Sequence, residues 1–202
     1  MARGRLIAFE GGEACGKSTQ AARLAARTGA LLTREPGGTP LGEALRHLVL
    51  DHGAGAAFDI RAETLVMLAA RAQHVAEVVA PALDDGRDVV TDRFSHSTLA
   101  YQGYGRGLDV EELRLMCTWA AHGIWPDAVV LLDVPPEVAD TRRDREADRL
   151  ESAGRDFHDR VAAGFRDLAG REPDRWVVAD GTGTIGEVEA RVAAGLARMG
   201  IG

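Results

Sequence analysis

Eight consecutive residues near the start of the chain have the composition and spacing of a phosphate-binding loop. Residues 11–18 read Gly-Gly-Glu-Ala-Cys-Gly-Lys-Ser and match the pattern G-x-x-x-x-G-K-[ST]. Glycines let backbone N–H groups turn inward around phosphate oxygens, and Lys17 is a compact charge that can reach the β- and γ-phosphates. Ser18 offers a hydroxyl to Mg²⁺. The pattern therefore predicts a nucleotide site, with a small buried side chain at Cys15.

Lys17 is the only lysine among the 24 lysine and arginine residues of the chain. Switch GTPases usually recognise guanine with an N-K-x-D motif, which would require a second lysine. The L-S-G-G-Q signature of transporter ATPases is also absent from the sequence. These two absences disfavour both classes.

Short apolar runs alternate with longer segments of helical character along the chain. The predicted strands are Arg5–Phe9, Ala30–Thr33, Val89–Thr91, Val129–Val134 and Trp176–Val178, all read as buried. The predicted helices are Thr19–Arg27, Leu41–Leu50, Glu63–Leu83, Val110–Ala121, Phe157–Leu168 and Ile185–Met199. Parallel strands need crossover connections, so this alternation predicts an α/β fold with a five-stranded parallel sheet wrapped by helices. We expect one domain over residues 1–202, with the charged stretch 142–155 as a lid.

Composition narrows the classes of partner. The net charge is −7, which disfavours generic binding to nucleic acid phosphates. No stretch of about 18 apolar residues occurs, so we expect no membrane span. The two cysteines, Cys15 and Cys117, lie far apart and fit a reducing, cytoplasmic setting.

Further segments carry a family resemblance. Residues 33–39 read Thr-Arg-Glu-Pro-Gly-Gly-Thr, residues 92–94 read Asp-Arg-Phe, and residues 97–103 read Ser-Thr-Leu-Ala-Tyr-Gln-Gly. An arginine lies mid-helix at position 71, and four more lie in the predicted lid, at positions 142, 143, 145 and 149. Together with the loop, these residues resemble the thymidylate kinase family from Leu6 to about Leu168. The loop without a basic residue between its glycines and the arginine-rich lid resemble the bacterial type.

The resemblance implies a P-loop three-layer sandwich of the nucleoside monophosphate kinase architecture. It also implies phosphoryl transfer from ATP, with Mg²⁺, to dTMP, in a homodimer. The catalytic residues that it implies are Lys17, Glu13, Arg93, Arg143, Arg145 and Arg149. Those implied for ATP are Gly11, Gly12, Glu13, Ala14, Cys15, Gly16, Lys17, Ser18 and Thr19. Those implied for the acceptor are Arg34, Met67, Arg71, Arg93, Thr98, Tyr101 and Gln102, and those for the metal are Ser18 and, through water, Asp92.

The residues alone point the same way, because ligands of a doubly wound sheet bind at the carboxyl ends of its strands. Glu13, Arg34, Asp92 and Arg93 all fall just beyond predicted strand ends, and arginine forks match phosphate oxygens. Such a site suits an acceptor that carries its own phosphate.

Two departures from the family keep other interpretations open. Met67 occupies the position where a phenylalanine usually stacks on thymine, and Ala14 replaces a glycine of the loop. Methionine can still cover a base as a soft apolar platform. A kinase for another or modified pyrimidine monophosphate therefore stays an alternative. A P-loop ATPase without an acceptor is a second one, against which the arginines at positions 34 and 93 speak.

Overall fold

The computed structural model describes residues 2–50, 59–142 and 153–201. Within them the chain forms a five-stranded, wholly parallel sheet in the order β2-β3-β1-β4-β5. The strands are β1 (Leu6–Glu10), β2 (Leu31–Arg34), β3 (Val89–Asp92), β4 (Ala128–Asp133) and β5 (Trp176–Asp180). This confirms the predicted α/β class, and every strand lies within about two residues of its predicted place.

The position of each strand in the sheet explains its burial. All five residues of β1, the central strand, are buried, whereas β2 alternates between half-buried and exposed residues. The prediction that the second strand is buried was wrong. That strand forms one edge of the sheet, so one of its faces is open to solvent, and Leu32 is about half exposed.

The helices cover both faces of the sheet. Their bounds are α1 (Lys17–Thr28), α2 (Pro40–Leu50), α3 (Ile60–His74), α4 (Ala80–Asp84), α5 (Ser95–Thr98), α6 (Val110–Ala120), α7 (Pro136–Arg142), α8 (Arg155–Arg171) and α9 (Ile185–Arg198). Ile7 and Phe9 of β1 pack with α1 and α9 on one face, whereas Leu6 and Ala8 point to the other. The result is the predicted three-layer sandwich.

The predicted helix Glu63–Leu83 is one continuous helical stretch, but it is not uniform. A π-helical turn, Val75–Val79, joins α3 to α4. Val75 and Val79 face the core as expected, while Leu65 points to solvent with 56% of its surface exposed. Leu65 therefore does not share the buried face that the apolar pattern assigned to it.

One helical segment beside the site was absent from the prediction. After β3, the chain forms α5 and continues through a π-helical segment, Leu99–Gly105. Two glycines in this stretch disfavour a helix on propensity alone. Packing requires at least one of them, because a Cβ on Gly105 would lie 2.5 Å from the Phe157 ring of α8. Tertiary contact thus overrides local preference here.

Across the described ranges, no helix combines the length and the apolar character needed to cross a bilayer.

Candidate active site

The phosphate-binding loop joins the end of β1 to the start of α1. Gly11, Ala14 and Gly16 adopt positive φ angles of 135°, 52° and 95°. A Cβ on Gly11 would lie 2.7 Å from the Leu132 carbonyl oxygen, so glycine is required for this close approach. Ala14 takes up the left-handed conformation despite its side chain, at a cost of about 1 kcal/mol. Cys15 packs into the core, as predicted.

Lys17 lies in the first turn of α1, with its side chain folded over the loop. Its ammonium group donates a hydrogen bond of 2.5 Å to the Gly12 carbonyl oxygen and lies 3.6 Å from the Cys15 Sγ atom. The N-cap residue of this helix is Gly16, which has no side chain to cap it. Residues 17–19 at the helix N-terminus line a cavity beside the loop, where an anion would be stabilised.

Ser18 and Asp92 are neighbours although they are far apart in sequence. The Ser18 hydroxyl donates a hydrogen bond of 2.5 Å to Asp92 Oδ2 at the end of β3. Mg²⁺ prefers oxygen donors, and a hydroxyl and a carboxylate at the edge of a phosphate loop offer them. These residues fit a nucleotide-bound magnesium ion.

A large cavity of about 540 Å³ opens beside the loop. It is lined by loop residues Glu13–Thr19, by Arg34, Asp92 and Arg93 at the strand ends, and by Arg142, Gly181, Gly183 and Ile185. Arg142 donates to the Gly181 carbonyl oxygen at 2.9 Å, which joins the end of α7 to the loop after β5. Of this second wall, the sequence pointed only to Arg142, as part of the predicted lid, and to no residue of the loop after β5.

A smaller cavity of about 100 Å³ adjoins the large one. Its walls include the predicted acceptor residues Met67, Arg71, Arg93, Thr98, Tyr101 and Gln102. Four side chains line both cavities: Glu13, Glu35, Arg46 and Arg93. Arg34 lines only the large cavity. The structure thus brings six of the seven predicted acceptor residues to one place.

Arg93 occupies the junction between the two cavities. Its own φ angle is 70°, and its guanidinium group donates to the Gly11 carbonyl oxygen at 3.0 Å, to the Tyr101 hydroxyl at 3.1 Å and to Glu13. Tyr101 in turn donates to Glu13 at 2.7 Å. Burial alone would lower the pKa of Arg93, but the Glu13 carboxylate and its neighbours hold it well above its ordinary value. Arg93 therefore stays protonated beside the Glu13 carboxylate.

Arg71 forms the floor of the smaller cavity, within a buried charge network. Its Nε atom donates to Glu35 at 2.7 Å, and its Nη1 atom donates to Thr98 at 3.0 Å. The other oxygen of Glu35 lies 2.9 Å from His74 Nδ1. Burial alone would raise the pKa of Glu35, but Arg71 and His74 together lower it, so the carboxyl stays ionised. Arg71 is therefore held by an ionised carboxylate and by the Thr98 hydroxyl.

Two further predicted acceptor residues, Arg34 and Gln102, also have polar protein partners. Arg34 donates from Nη2 to both carboxylate oxygens of Glu43, at 2.9 and 2.8 Å, on the exposed rim. Gln102 donates to the buried Glu63 at 2.9 Å. The lid arginines Arg143, Arg145 and Arg149 lie outside the described residues.

Several residues of the site escaped the sequence analysis as contributors. Glu10, Glu35, Arg46 and His74 all touch or line the site, and none of them was assigned a role there from the sequence. Glu10 and Glu35 could have been found as acidic residues beside a strand end, and His74 as a residue one helical turn from Arg71. Arg46 lies mid-helix in α2 and carried no such signal. Their partners, however, are distant in sequence.

A parallel sheet in this strand order, with a phosphate loop after its first strand and a second cavity beside it, defines a P-loop nucleoside monophosphate kinase fold. The thymidylate kinase family model matches residues 9–192. The chain belongs to the thymidylate kinase family.

Individual relatives agree with this assignment. A thymidylate kinase of Bifidobacterium longum (strain DJO10A) is 46% identical over 196 residues, covering 94% of this chain and 95% of that protein. One of Synechococcus sp. (strain JA-2-3B'a(2-13)) is 49% identical over 191 residues, covering 92% and 91%. The crystal structure of thymidylate kinase from Ehrlichia chaffeensis superposes with a TM-score of 0.79 at 30% identity, covering 96% of this chain and 99% of that one.

Proposed function

We propose that this protein transfers the γ-phosphoryl group of ATP to dTMP, giving dTDP and ADP. The observation that carries the proposal is the pair of adjoining cavities with Arg93 and Glu13 at their junction. The phosphate loop lines one cavity, and a buried, fixed arginine forms the floor of the other. A donor and an acceptor that both carry phosphate suit this arrangement. For a member of the thymidylate kinase family, these two substrates are ATP and dTMP.

The donor side would act mainly through the backbone and Lys17. ATP would take the place of the Gly12 carbonyl as partner of the Lys17 ammonium group, and the loop N–H groups would surround the β-phosphate. Ser18 and Asp92 would hold Mg²⁺, the latter through water. The ion supplies charge neutralisation of the triphosphate when bound. Arg143, Arg145 and Arg149 are proposed to close over the nucleotide.

The acceptor side would orient the monophosphate and its base. Arg93 would hold the acceptor phosphate at the junction, with Arg34 contributing from the rim. Arg71 carries only hydrogen-bond donors, so it favours a base with a carbonyl oxygen over one with an amino group. Met67 and Tyr101 would pack against the base and the sugar, beside Thr98 and Gln102.

The attacking oxygen belongs to a phosphate that is already anionic, so the transfer needs no strong base. Catalysis then consists of alignment and neutralisation of the charge that develops between the two phosphates. Glu13 would act by holding Arg93 and Tyr101 in place beside that charge.

An acceptor panel tests the proposal. ADP release with ATP and Mg²⁺ is measured with dTMP, dUMP, dCMP, UMP, CMP and no acceptor. We expect turnover to favour dTMP strongly. A preference for another pyrimidine monophosphate would keep the reaction type and change the assigned substrate. An ADP release rate that does not depend on the acceptor would favour an ATPase.

We further propose a homodimer formed through an apolar patch on α3 and α6. The patch consists of Leu65, Leu115 and Trp119, which are 56%, 72% and 83% exposed. Exposed large apolar side chains on adjacent helices are typical of an interface, and a second copy presents the same self-complementary surface. Sedimentation should give a dimer that Trp119→Lys converts to a monomer. Val178→Lys, at an exposed valine of β5, is the matched control and should leave the dimer intact.

The two cysteines bear on the cellular compartment. Both thiols, Cys15 and Cys117, are buried and free of disulfides. They suit a reducing environment, and we place the enzyme in the cytoplasm on that basis.

A further inference from the structure

Glu10 is a buried carboxyl group that the mechanism above does not use. It is the last residue of β1, directly before the phosphate loop, and its exposed fraction is zero. A buried carboxyl must have hydrogen-bond partners to remain stable. All of its hydrogen bonds described here come from one neighbouring segment, the turn that follows β3.

Three hydrogen bonds join Glu10 to that turn. Its Oε1 atom accepts from the backbone N–H groups of Phe94 at 3.0 Å and of Ser97 at 3.1 Å. Its Oε2 atom accepts from the Ser97 hydroxyl at 2.5 Å. Phe94 stands at the N-cap position of α5, where its own side chain offers no cap. The carboxyl from the central strand therefore caps a helix on another segment.

The capped turn is the one that aims Arg93. The chain passes from a left-handed conformation at Arg93 to an extended one at Phe94, where φ is −153°, before α5 begins. A non-glycine residue in the left-handed region costs energy and persists only where its surroundings fix it. Glu10 helps to fix this conformation, because it accepts hydrogen bonds from Phe94 and Ser97 at the two ends of the turn.

Ser97 extends the connection to the guanidinium group itself. Arg93 Nη1 donates to the Ser97 hydroxyl at 3.1 Å, while the single proton of that hydroxyl points to Glu10. A hydroxyl has one proton and two lone pairs. The Glu10 carboxylate thus takes the proton and leaves a lone pair of Ser97 facing Arg93.

We propose that Glu10 is a positioning residue for the acceptor phosphate, because it orients Arg93 through the Ser97 hydroxyl and the turn after β3. The inference rests on the proposed function, in which Arg93 holds that phosphate. Glu10 lines neither of the two cavities, so it acts only through these neighbours.

The charged groups around Glu10 favour its ionised form, whereas its burial opposes it. Burial raises the pKa of Glu10 to about 7, against the hydrogen bonds from Ser97 and the charge of Arg93. The buried Arg71 of α3 adds a second positive charge within electrostatic range. Kinetics at pH 8 therefore examine mainly the carboxylate.

Glu10→Gln is the discriminating variant. The amide oxygen can still accept from both backbone N–H groups, but the amide nitrogen donates to Ser97 where the carboxylate accepted. We expect the dTMP KM to rise about tenfold at pH 8, with the ATP KM changed less than twofold and the melting temperature equal or higher. A purely structural role would instead lower the melting temperature and leave the KM values alone.

Ser97→Ala and a double variant complete the test. Ser97→Ala should raise the dTMP KM to a similar extent, and Glu10→Gln combined with Ser97→Ala should raise it no further. The control is Ser95→Ala on the same helix, since among the described residues the Ser95 hydroxyl has no hydrogen-bond partner. We expect this control to leave both KM values unchanged.

Calorimetric binding of dTMP to each variant gives a second measurement that needs no turnover. An unchanged dTMP affinity in Glu10→Gln, an equal rise in the KM for ATP, or multiplicative effects of the two variants would each overturn the inference. A wild-type enzyme that does not use dTMP would instead contradict the proposed function, so the two failures are distinct.

Discussion

The donor and acceptor sides of this site are built in different ways. The donor side is one continuous loop, residues 11–18, in which backbone groups predominate and Lys17 is the single cation. The acceptor side is assembled from separate segments. The buried Arg71 is held by Glu35, and the half-buried Arg93 is held by Glu13. The arginine–carboxylate pairs of the acceptor side therefore stabilise the fold as well as bind the ligand. Changes on the donor side should affect catalysis alone, and changes on the acceptor side should also affect stability.

The largest effect is expected on the donor side. Lys17→Met should lower kcat/KM by at least about 1,000-fold, because no other side chain of the loop neutralises the transferred phosphate. The free energy of unfolding should change by less than about 1 kcal/mol. Coupled ADP release and urea denaturation measure the two quantities. Lys17→Arg, which keeps the charge but not the compact shape, is the companion variant, and retained activity in Lys17→Met would remove the lysine from its role.

The acceptor side should show the opposite balance. Glu35→Gln breaks a buried ion pair and leaves Arg71 without its counter-ion, which should cost about 3–5 kcal/mol of unfolding free energy. Glu43→Gln is the matched control, because Glu43 pairs with Arg34 on the exposed rim and its loss should cost less than about 1 kcal/mol. Urea denaturation of both variants decides the matter, and equal losses would erase the distinction between the two pairs.

Arg93 lies where the donor and acceptor sides meet, so a change at this residue tests which of the two substrates it binds. Arg93→Ala should raise the dTMP KM by about 100-fold, as expected for a charge-assisted hydrogen bond to phosphate. The ATP KM should change by less than about threefold. Arg166→Ala serves as a control, since Arg166 pairs with Asp133 on the surface and lines neither cavity. Equal losses for the two substrates would contradict the assignment of Arg93 to the acceptor.

The smallest effect concerns pH. The pKa of Glu10 rises from 4.5 to about 7 on folding, so between those values the folded chain binds more protons than the unfolded one. The contribution of Glu10 to stability is thus complete below pH 4.5 and is lost as pH rises through 7. From pH 5 to pH 7 the wild type should lose about 2 kcal/mol relative to Glu10→Gln. The measurement is the free energy of unfolding of the wild type and of Glu10→Gln as a function of pH. Two curves that run parallel would refute the prediction.

The same contrast explains how far the sequence led. The α/β class, the succession of strands and helices along the chain and the phosphate loop were predictable, because each follows from patterns of residues that are close in sequence. The partners of the acceptor arginines were not, since Glu35 lies 36 residues from Arg71 and Glu13 lies 80 residues from Arg93. The helical turn after β3 was also missed, because packing against α8 rather than propensity forms it.

The solitary lysine of the phosphate loop has a practical consequence for chemical labelling. An amine-reactive reagent meets one ε-amino group in the whole polypeptide, that of Lys17, a residue that is only 6% exposed in the folded chain. The fraction of molecules that gain the reagent's mass at Lys17 therefore measures how often the loop opens to the reagent. Protection by ATP would turn the same count into an occupancy measurement, free of any reporter enzyme.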